Sequence, residues 1–163
     1  SQVRRAIDAI GPGGATSLRD TLYVALTLAQ NSARRTMILV FTDGLDSSSW
    51  LSAGGVLEVA RQSDAVVYAV PFKQPEETLL GDVAEATGGR MVLADSSGHL
   101  RRVFLDVLLE MRSRYLLTFT PSSIETPGWH TLSVRLKGRG GRITARSGYF
   151  VSPSPSPSED RRR

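Results

Sequence analysis

Thr36-Met37-Ile38-Leu39-Val40-Phe41-Thr42-Asp43-Gly44 is an unbroken apolar and β-branched run that stops at a carboxylate and then a glycine. A continuous apolar run bounded by turn residues reads as a strand buried on both faces, the habit of a parallel sheet covered by helices on each side. In such sheets the ligand crevice lies beyond the carboxyl ends of the strands. Asp43 stands at that end, and Gly44, lacking a Cβ, allows an immediate sharp turn.

Working outward, strand and helix patterns alternate. Upstream, Val3 to Ile10 has helical spacing without a cap ahead of it, and reads as the end of a helix whose beginning lies outside this chain. The expectation is therefore a fragment or excised domain. Gly11-Pro12-Gly13-Gly14-Ala15 breaks that helix. Leu18, Leu22, Ala25, Leu26 and Ala29 then share one helical face, with Ser17 and Asp20 spaced as a capping box. Downstream come a polar loop at Leu45 to Ser49, a helix from about Ser52 to Ser63, a buried strand over residues 65–70 and a loop over 71–78. A short helix bearing Leu79, Leu80, Val83 and Ala84 ends at Gly88-Gly89. A four-residue strand over 91–94 precedes an amphipathic helix from about Leu100 to Arg114, with Val103, Phe104, Val107, Leu108 and Met111 inward.

At Tyr115 the pattern changes. Residues 115–120, 129–137 and 142–151 read as three strands with no helix between them, the last two joined by a turn at Gly138-Arg139-Gly140-Gly141. Ser152 to Ser158 alternates Ser and Pro, an extended tail. The predicted architecture is α/β: a Rossmann-like doubly wound, mostly parallel sheet over residues 1–114, a C-terminal antiparallel β meander over 115–151, and a tail over 152–163.

Composition narrows the function classes. There are no cysteines, so disulfides and thiolate metal sites are excluded. The net charge of +4 is a mild surplus and argues against nucleic acid as the main partner. The longest apolar runs are too short to span a bilayer. His99 and His130 have no second His or Cys nearby, which disfavours a ligand role. No Gly-x-Ser-x-Gly elbow occurs, and no phosphate-loop Lys follows the Gly11 to Gly14 run. No nucleophile–base pair can be named, so an enzyme is not expected. Lys137 to Arg142 could mimic an RNA-binding Arg-Gly segment, but between two strand patterns it reads as a basic hairpin turn.

Gly13-Gly14-Ala15-Thr16-Ser17-Leu18-Arg19-Asp20 ahead of a helix, followed by Val40-Phe41-Thr42-Asp43-Gly44 closing a buried strand, resembles the von Willebrand factor type A domain. Glu85-Ala86-Thr87-Gly88-Gly89-Arg90, Arg114-Tyr115 and Arg146-Ser147-Gly148-Tyr149 resemble a bacterial branch in which a β appendage follows that domain. The resemblance implies a metal-ion-dependent adhesion site with Mg²⁺, or Ca²⁺ or Mn²⁺, that binds a protein ligand through an acidic group. It also implies an extracellular or cell-envelope setting. Thr16 and Asp43 match the family's second and third ligand positions. The family's first motif, Asp-x-Ser-x-Ser, is absent; Asp46-Ser47-Ser48-Ser49-Trp50 and Asp95-Ser96-Ser97-Gly98-His99 depart from it at the fifth place. The first strand and its ligands are therefore expected outside this chain.

Two other readings stay open at the sequence level. Thr16 can be a helix N-cap, and Asp43 can close an Asx turn with Gly44. The alternative function is a metal-free structural or assembly domain.

Overall fold

The computed structural model describes residues 2–11, 13–32, 35–43, 45–72, 78–122, 126–138 and 140–153. Gly44, most of the 71–78 loop, Arg139 and nearly all of the Ser/Pro tail therefore lie outside the described residues. The described chain is mixed α/β. Its elements are α1 (Gln2–Asp8), α2 (Leu18–Gln30), β1 (Met37–Thr42), α3 (Ala53–Gln62), β2 (Val66–Pro71), α4 (Thr78–Thr87), α5 (Ser97–Arg112), β3 (Gly128–Thr131) and β4 (Gly148–Val151). Among the described residues no helix is long and apolar enough to cross a membrane.

β1 and β2 pair in parallel, Met37 opposite Val66 through Thr42 opposite Pro71. The side chains of β2 alternate between two cores. Val67 and Ala69 join Leu18, Leu22 and Leu26 of α2, Val56 and Ala60 of α3, and Leu80 and Val83 of α4. Tyr68 and Val70 join Val103 and Val107 of α5. β1 splits the same way: Ile38 and Val40 pack on the first core, Met37 and Leu39 on the second.

The opening run is thus sandwiched between the two cores, but it is not the most deeply buried strand. β1 is half-buried over Met37–Val40, and Phe41 is exposed. β2 is buried from Val67 to Pro71. The reason is position: β2 has neighbours on both sides, whereas among the described residues β1 pairs only with β2.

The third expected strand, residues 91–94, is extended but pairs only through isolated parallel bridges, Ala69 with Met91 and Phe72 with Ala94. The Val92 amide donates to the Ala69 carbonyl at 2.8 Å, and the Ala94 amide to the Pro71 carbonyl at 3.0 Å. This segment is short and leaves Met91 and Leu93 exposed, so little burial supports a longer ladder.

Helix ends follow the capping chemistry in two cases. The Ser52 hydroxyl accepts from the Gly55 amide at 3.2 Å, and the Ser96 hydroxyl from the His99 amide at 3.3 Å. α5 buries Val103 and Val107, but Phe104, expected inward, is exposed. α5 is fastened to β2 by polar bonds as well. The Tyr68 hydroxyl donates to Glu110 at 2.7 Å, Arg90 Nε to the other Glu110 oxygen at 2.8 Å, and Arg114 to the Tyr68 oxygen at 3.0 Å and to the Gly88 carbonyl. Burial and the bond to Glu110 push the Tyr68 phenol up to about 12.

The C-terminal region departs most from expectation. β3 and β4 pair antiparallel from Gly128 opposite Val151 to Thr131 opposite Gly148. Residues 115–120 form no strand, and the 129–137 and 142–151 runs are strands only over residues 129–131 and 148–151. Val134, Leu136 and Ile143 are exposed, so no packed face rewards a longer ladder. In the first run, Phe119 is tied in, its ring edge-on to Tyr149 at 5.3 Å.

The Gly88-Gly89 stop is a tight passage. Thr87 is buried, and its hydroxyl accepts from the Val67 amide at 3.0 Å while donating back into α4 at 2.8 Å. Gly88 sits at φ 77 in the left-handed region. A Cβ at Gly89 would collide with the Val67 carbonyl. Gly89→Ala is therefore expected to lose at least about 3 kcal/mol of stability. Gly81→Ala, mid-helix in α4 and no nearer than 4.0 Å to Met91, is expected to gain about 0.5–1 kcal/mol. Urea unfolding of the two variants beside the parent chain checks the opposite signs.

Candidate functional site

The sequence points to the carboxyl end of β1 and the loop ahead of α2, and the structure joins these two loops edge to edge. The Thr16 amide donates to Ser47 Oγ at 2.9 Å. The Thr16 carbonyl accepts from the Ser47 amide at 2.9 Å and the Ser48 amide at 3.1 Å. The hydroxyls of Ser17 and Ser48 meet at 2.7 Å. Gly14, at φ 86, supplies the left-handed turn that brings the chain to Thr16.

Thr16 is therefore bonded to the loop that follows β1, four residues of chain beyond Asp43. Thr16 and Asp43 are both exposed. The Thr16 hydroxyl makes no hydrogen bond among the described residues. Asp43 Oδ1 accepts weakly from the Leu45 amide at 3.4 Å, an Asx-type turn, and its second oxygen has no partner among the described residues.

The start of α2 corrects one expectation. Ser17 precedes the helix but makes no side-chain cap bond, and Asp20 does not reach back to it. The cap comes from the other loop. The Arg19 amide donates to Asp46 Oδ2 at 2.9 Å and to Ser49 Oγ at 3.0 Å, and the Asp20 amide to Ser49 Oγ at 3.3 Å. Asp20 points across the junction instead, accepting from the Trp50 amide at 3.1 Å and the Leu51 amide at 3.0 Å. A carboxylate and a hydroxyl delivered by tertiary contact displace the weaker local cap, and the helix dipole favours that charge there.

Asp46 is the centre of this junction. Its side chain is 1% exposed. It accepts from Ser49 Oγ at 2.6 Å, the Ser49 amide at 3.0 Å, the Arg19 amide, and Arg19 Nε at 3.2 Å. Burial alone would push its carboxyl up. The bonds from Ser49 and Arg19 outweigh burial and hold it well below the usual carboxylate range. Asp46 was readable only as a loop or cap residue. The available signal was its three-residue spacing to Ser49, the local pattern of a carboxylate gripping a turn.

The chemistry the rim offers is limited and specific. Asp46 and Asp20 are committed to amides, hydroxyls and a guanidinium. Thr16 and Asp43 leave a neutral hydroxyl and a carboxylate oxygen toward solvent. Among the described residues no three His, Cys, Asp or Glu gather as a metal cluster. Trp50, on the same loop, is 96% exposed. The histidines are engaged elsewhere: His99 with Asp95 at 3.0 Å, His130 with the Thr126 carbonyl at 3.0 Å. A cavity of about 360 Å³ lies at the far end of α2, against Ala29, Gln30 and Asp64, away from this rim.

No family model matches this chain, and no curated protein matches it. Among solved structures, it is similar to the crystal structure of an uncharacterized membrane-spanning protein from Vibrio fischeri, at 18% identity and a TM-score of 0.43. The match covers 69% of this chain and 66% of that one, so this chain spans just under two thirds of that protein's length. A likeness of that depth assigns neither a family nor a function.

The Asp46 junction has a pH signature. A carboxyl whose folded value lies below its unfolded value of 3.8 contributes stability that is complete above that pH and is lost as pH falls through the folded value. Asp46→Asn is expected to cost about 2 kcal/mol at neutral pH. The gap between parent and variant should narrow as the pH drops below about 4. Denaturant melts of both proteins across that range measure it; a constant gap would contradict the assignment.

Proposed function

We propose that this chain is part of a von Willebrand factor type A-like module that binds a protein partner through a divalent cation. In this reading the sheet is the doubly wound type, with β1 and β2 feeding α2, α3 and α4 on one face and α5 on the other. The adhesion site lies at the carboxyl end of β1. Thr16 gives a neutral hydroxyl and Asp43 a carboxylate, directly or through water. The family's Asp-x-Ser-x-Ser oxygens come from outside these 163 residues. Mg²⁺ suits such a set, because it takes oxygen ligands and keeps several waters; Ca²⁺ or Mn²⁺ are the other hard cations that fit. A site with few carboxylates leaves the ion under-compensated, and an acidic group of the partner completes it. The contact is adhesive, with no bond broken.

One observation carries the reading: the Ser47 and Ser48 amides bound to the Thr16 carbonyl hold the two ligand loops together. The commitment of Asp46 and Asp20 to structural bonds supports it further, since it leaves Asp43 as the rim's available carboxylate. The exposed Trp50 beside them is a natural anchor for a protein surface, where large aromatic side chains dominate binding energy.

A second reading, a metal-free assembly domain, draws on the Asx turn at Asp43 and on β1 having one strand neighbour among the described residues. Calorimetric titration of the full-length protein with Mg²⁺ separates the two. Under the adhesion reading the parent protein gives saturable heat, and Asp43→Ala and Thr16→Ala each weaken it tenfold or more, on the order seen when a site's supporting groups are removed. Equal binding by the parent and both variants would favour the metal-free module.

A further inference from the structure

A strand in a parallel sheet turns its residues alternately to its two sides, each with both its amide and its carbonyl. On β2 both sides are engaged. The Val66 amide donates to the Thr36 carbonyl at 3.0 Å and the Phe72 amide to the Thr42 carbonyl at 2.7 Å, so the even-numbered residues face β1. The Val67 amide donates to the Thr87 hydroxyl and the Ala69 amide to the Arg90 carbonyl, so the odd-numbered residues face the other way. Carried across the register, the same alternation turns Thr36, Ile38, Val40 and Thr42 toward β2. Met37, Leu39 and Phe41 turn their amides and carbonyls to the outer edge of β1, where no strand pairs with them among the described residues.

That edge carries none of the usual protections. Sheet edges are blunted by charge, proline, a bulge or a cover. At the opposite edge, residues 91–94 are short, bracketed by Arg90 and Asp95, and held by isolated bridges. Residues 36–42 contain no charged residue, proline or glycine, and Phe41 is 49% exposed. The run is also close to palindromic in residue type. Outward from Leu39 come two β-branched residues, Ile38 and Val40, then two large apolar residues, Met37 and Phe41, then two threonines, Thr36 and Thr42. An antiparallel copy centred on Leu39 sets these pairs opposite each other, like beside like, with no charges to repel.

We propose that two copies of this chain pair through β1, antiparallel about a two-fold axis at Leu39. Leu39 exchanges both backbone bonds with its counterpart, and Met37 exchanges both with Phe41 of the second copy. An axis perpendicular to the sheet keeps each face on its own side, so the two parallel pairs become one continuous sheet. A foreign strand would need an apolar edge to join, but it would not need the symmetry about Leu39. This pairing takes up the open edge on which the assembly reading draws and names its partner. It uses no side chain of the Thr16 and Asp43 rim, so the Mg²⁺ titration and the measurement below can fail separately.

Sedimentation equilibrium of the 163-residue chain tests it. The mass should rise with concentration from 17.7 kDa to twice that value and stop there, because a two-fold contact closes. Amide exchange on the same samples should alternate along β1. Ile38, Val40 and Thr42 should be slow at every concentration, and Met37, Leu39 and Phe41 slow only where the dimer forms. Phe41→Pro removes one edge-facing amide from each copy and none from the β1–β2 ladder, and should weaken association on the order of thirtyfold. Phe41→Lys should weaken it too, by setting a cation on the edge. Slow exchange at Ile38 and Val40 in both variants will show that β1 still pairs with β2. A mass that stays at 17.7 kDa up to about 1 mM would overturn the proposal. So would slow Met37, Leu39 and Phe41 amides in the monomer, growth past the dimer, or undiminished association of Phe41→Pro.

Discussion

A single buried carboxylate joins the two loops on which the rest of this rim depends. Asp46 lies almost wholly out of water, and desolvating an unpaired carboxylate is prohibitive. It is tolerable here because two Ser49 donors and two Arg19 donors converge on it. Charge-assisted bonds of this kind contribute about 1.5–3 kcal/mol each, enough in combination to order a polar loop that has no apolar core of its own. Asp20 works in the opposite direction, from the helix to the loop, so the junction is reciprocal. The start of α2 and the end of β1 become one unit.

This separates two jobs that a cluster of acidic residues could otherwise confuse. Asp46 and Asp20 spend their oxygens on structure. Asp43 and Thr16, carried by the same loops, keep an oxygen each toward solvent. A rim built this way can present ligands without relying on them for its own stability. Substitution at Asp43 or Thr16 is thus separable, in principle, from substitution at Asp46, which removes the bonds that join the loops. The Gly88-Gly89 passage and the Tyr68–Glu110 bonds act at a distance from the rim, setting α4 and α5 against β2 and so fixing the sheet from which β1 projects.

Much of the fold was legible because apolar spacing encodes it. Leu18, Leu22, Leu26 and Ala29 declare the buried stripe of α2, and the apolar runs beginning at Thr36 and spanning residues 65–70 declare the parallel pair. The C-terminal strands were over-read: residues 115–120 and 132–147 have strand-like composition, but strand pairing is stabilised by burial against a neighbour, and Leu116, Leu117, Val134 and Leu136 stay exposed. At the rim, the sequence identified Thr16 and Asp43 as neighbours of turns and helix ends. It misassigned Ser17 and Asp20 to a local capping box, because a pattern four residues long is visible in sequence while Asp46, far along the chain, is not. Tertiary partners of higher charge won over the local alternative.

Amide hydrogen exchange tests this account most directly, because it reads the junction donor by donor. If Asp46 and Asp20 lock the two loops, the amides of Arg19, Ser49, Trp50 and Leu51 will exchange slowly, with protection approaching that of the β2 amides, although they belong to loop and helix-end positions that normally open freely. Exchange of these four amides at the rate of an unstructured loop, while β2 stays protected, would contradict it.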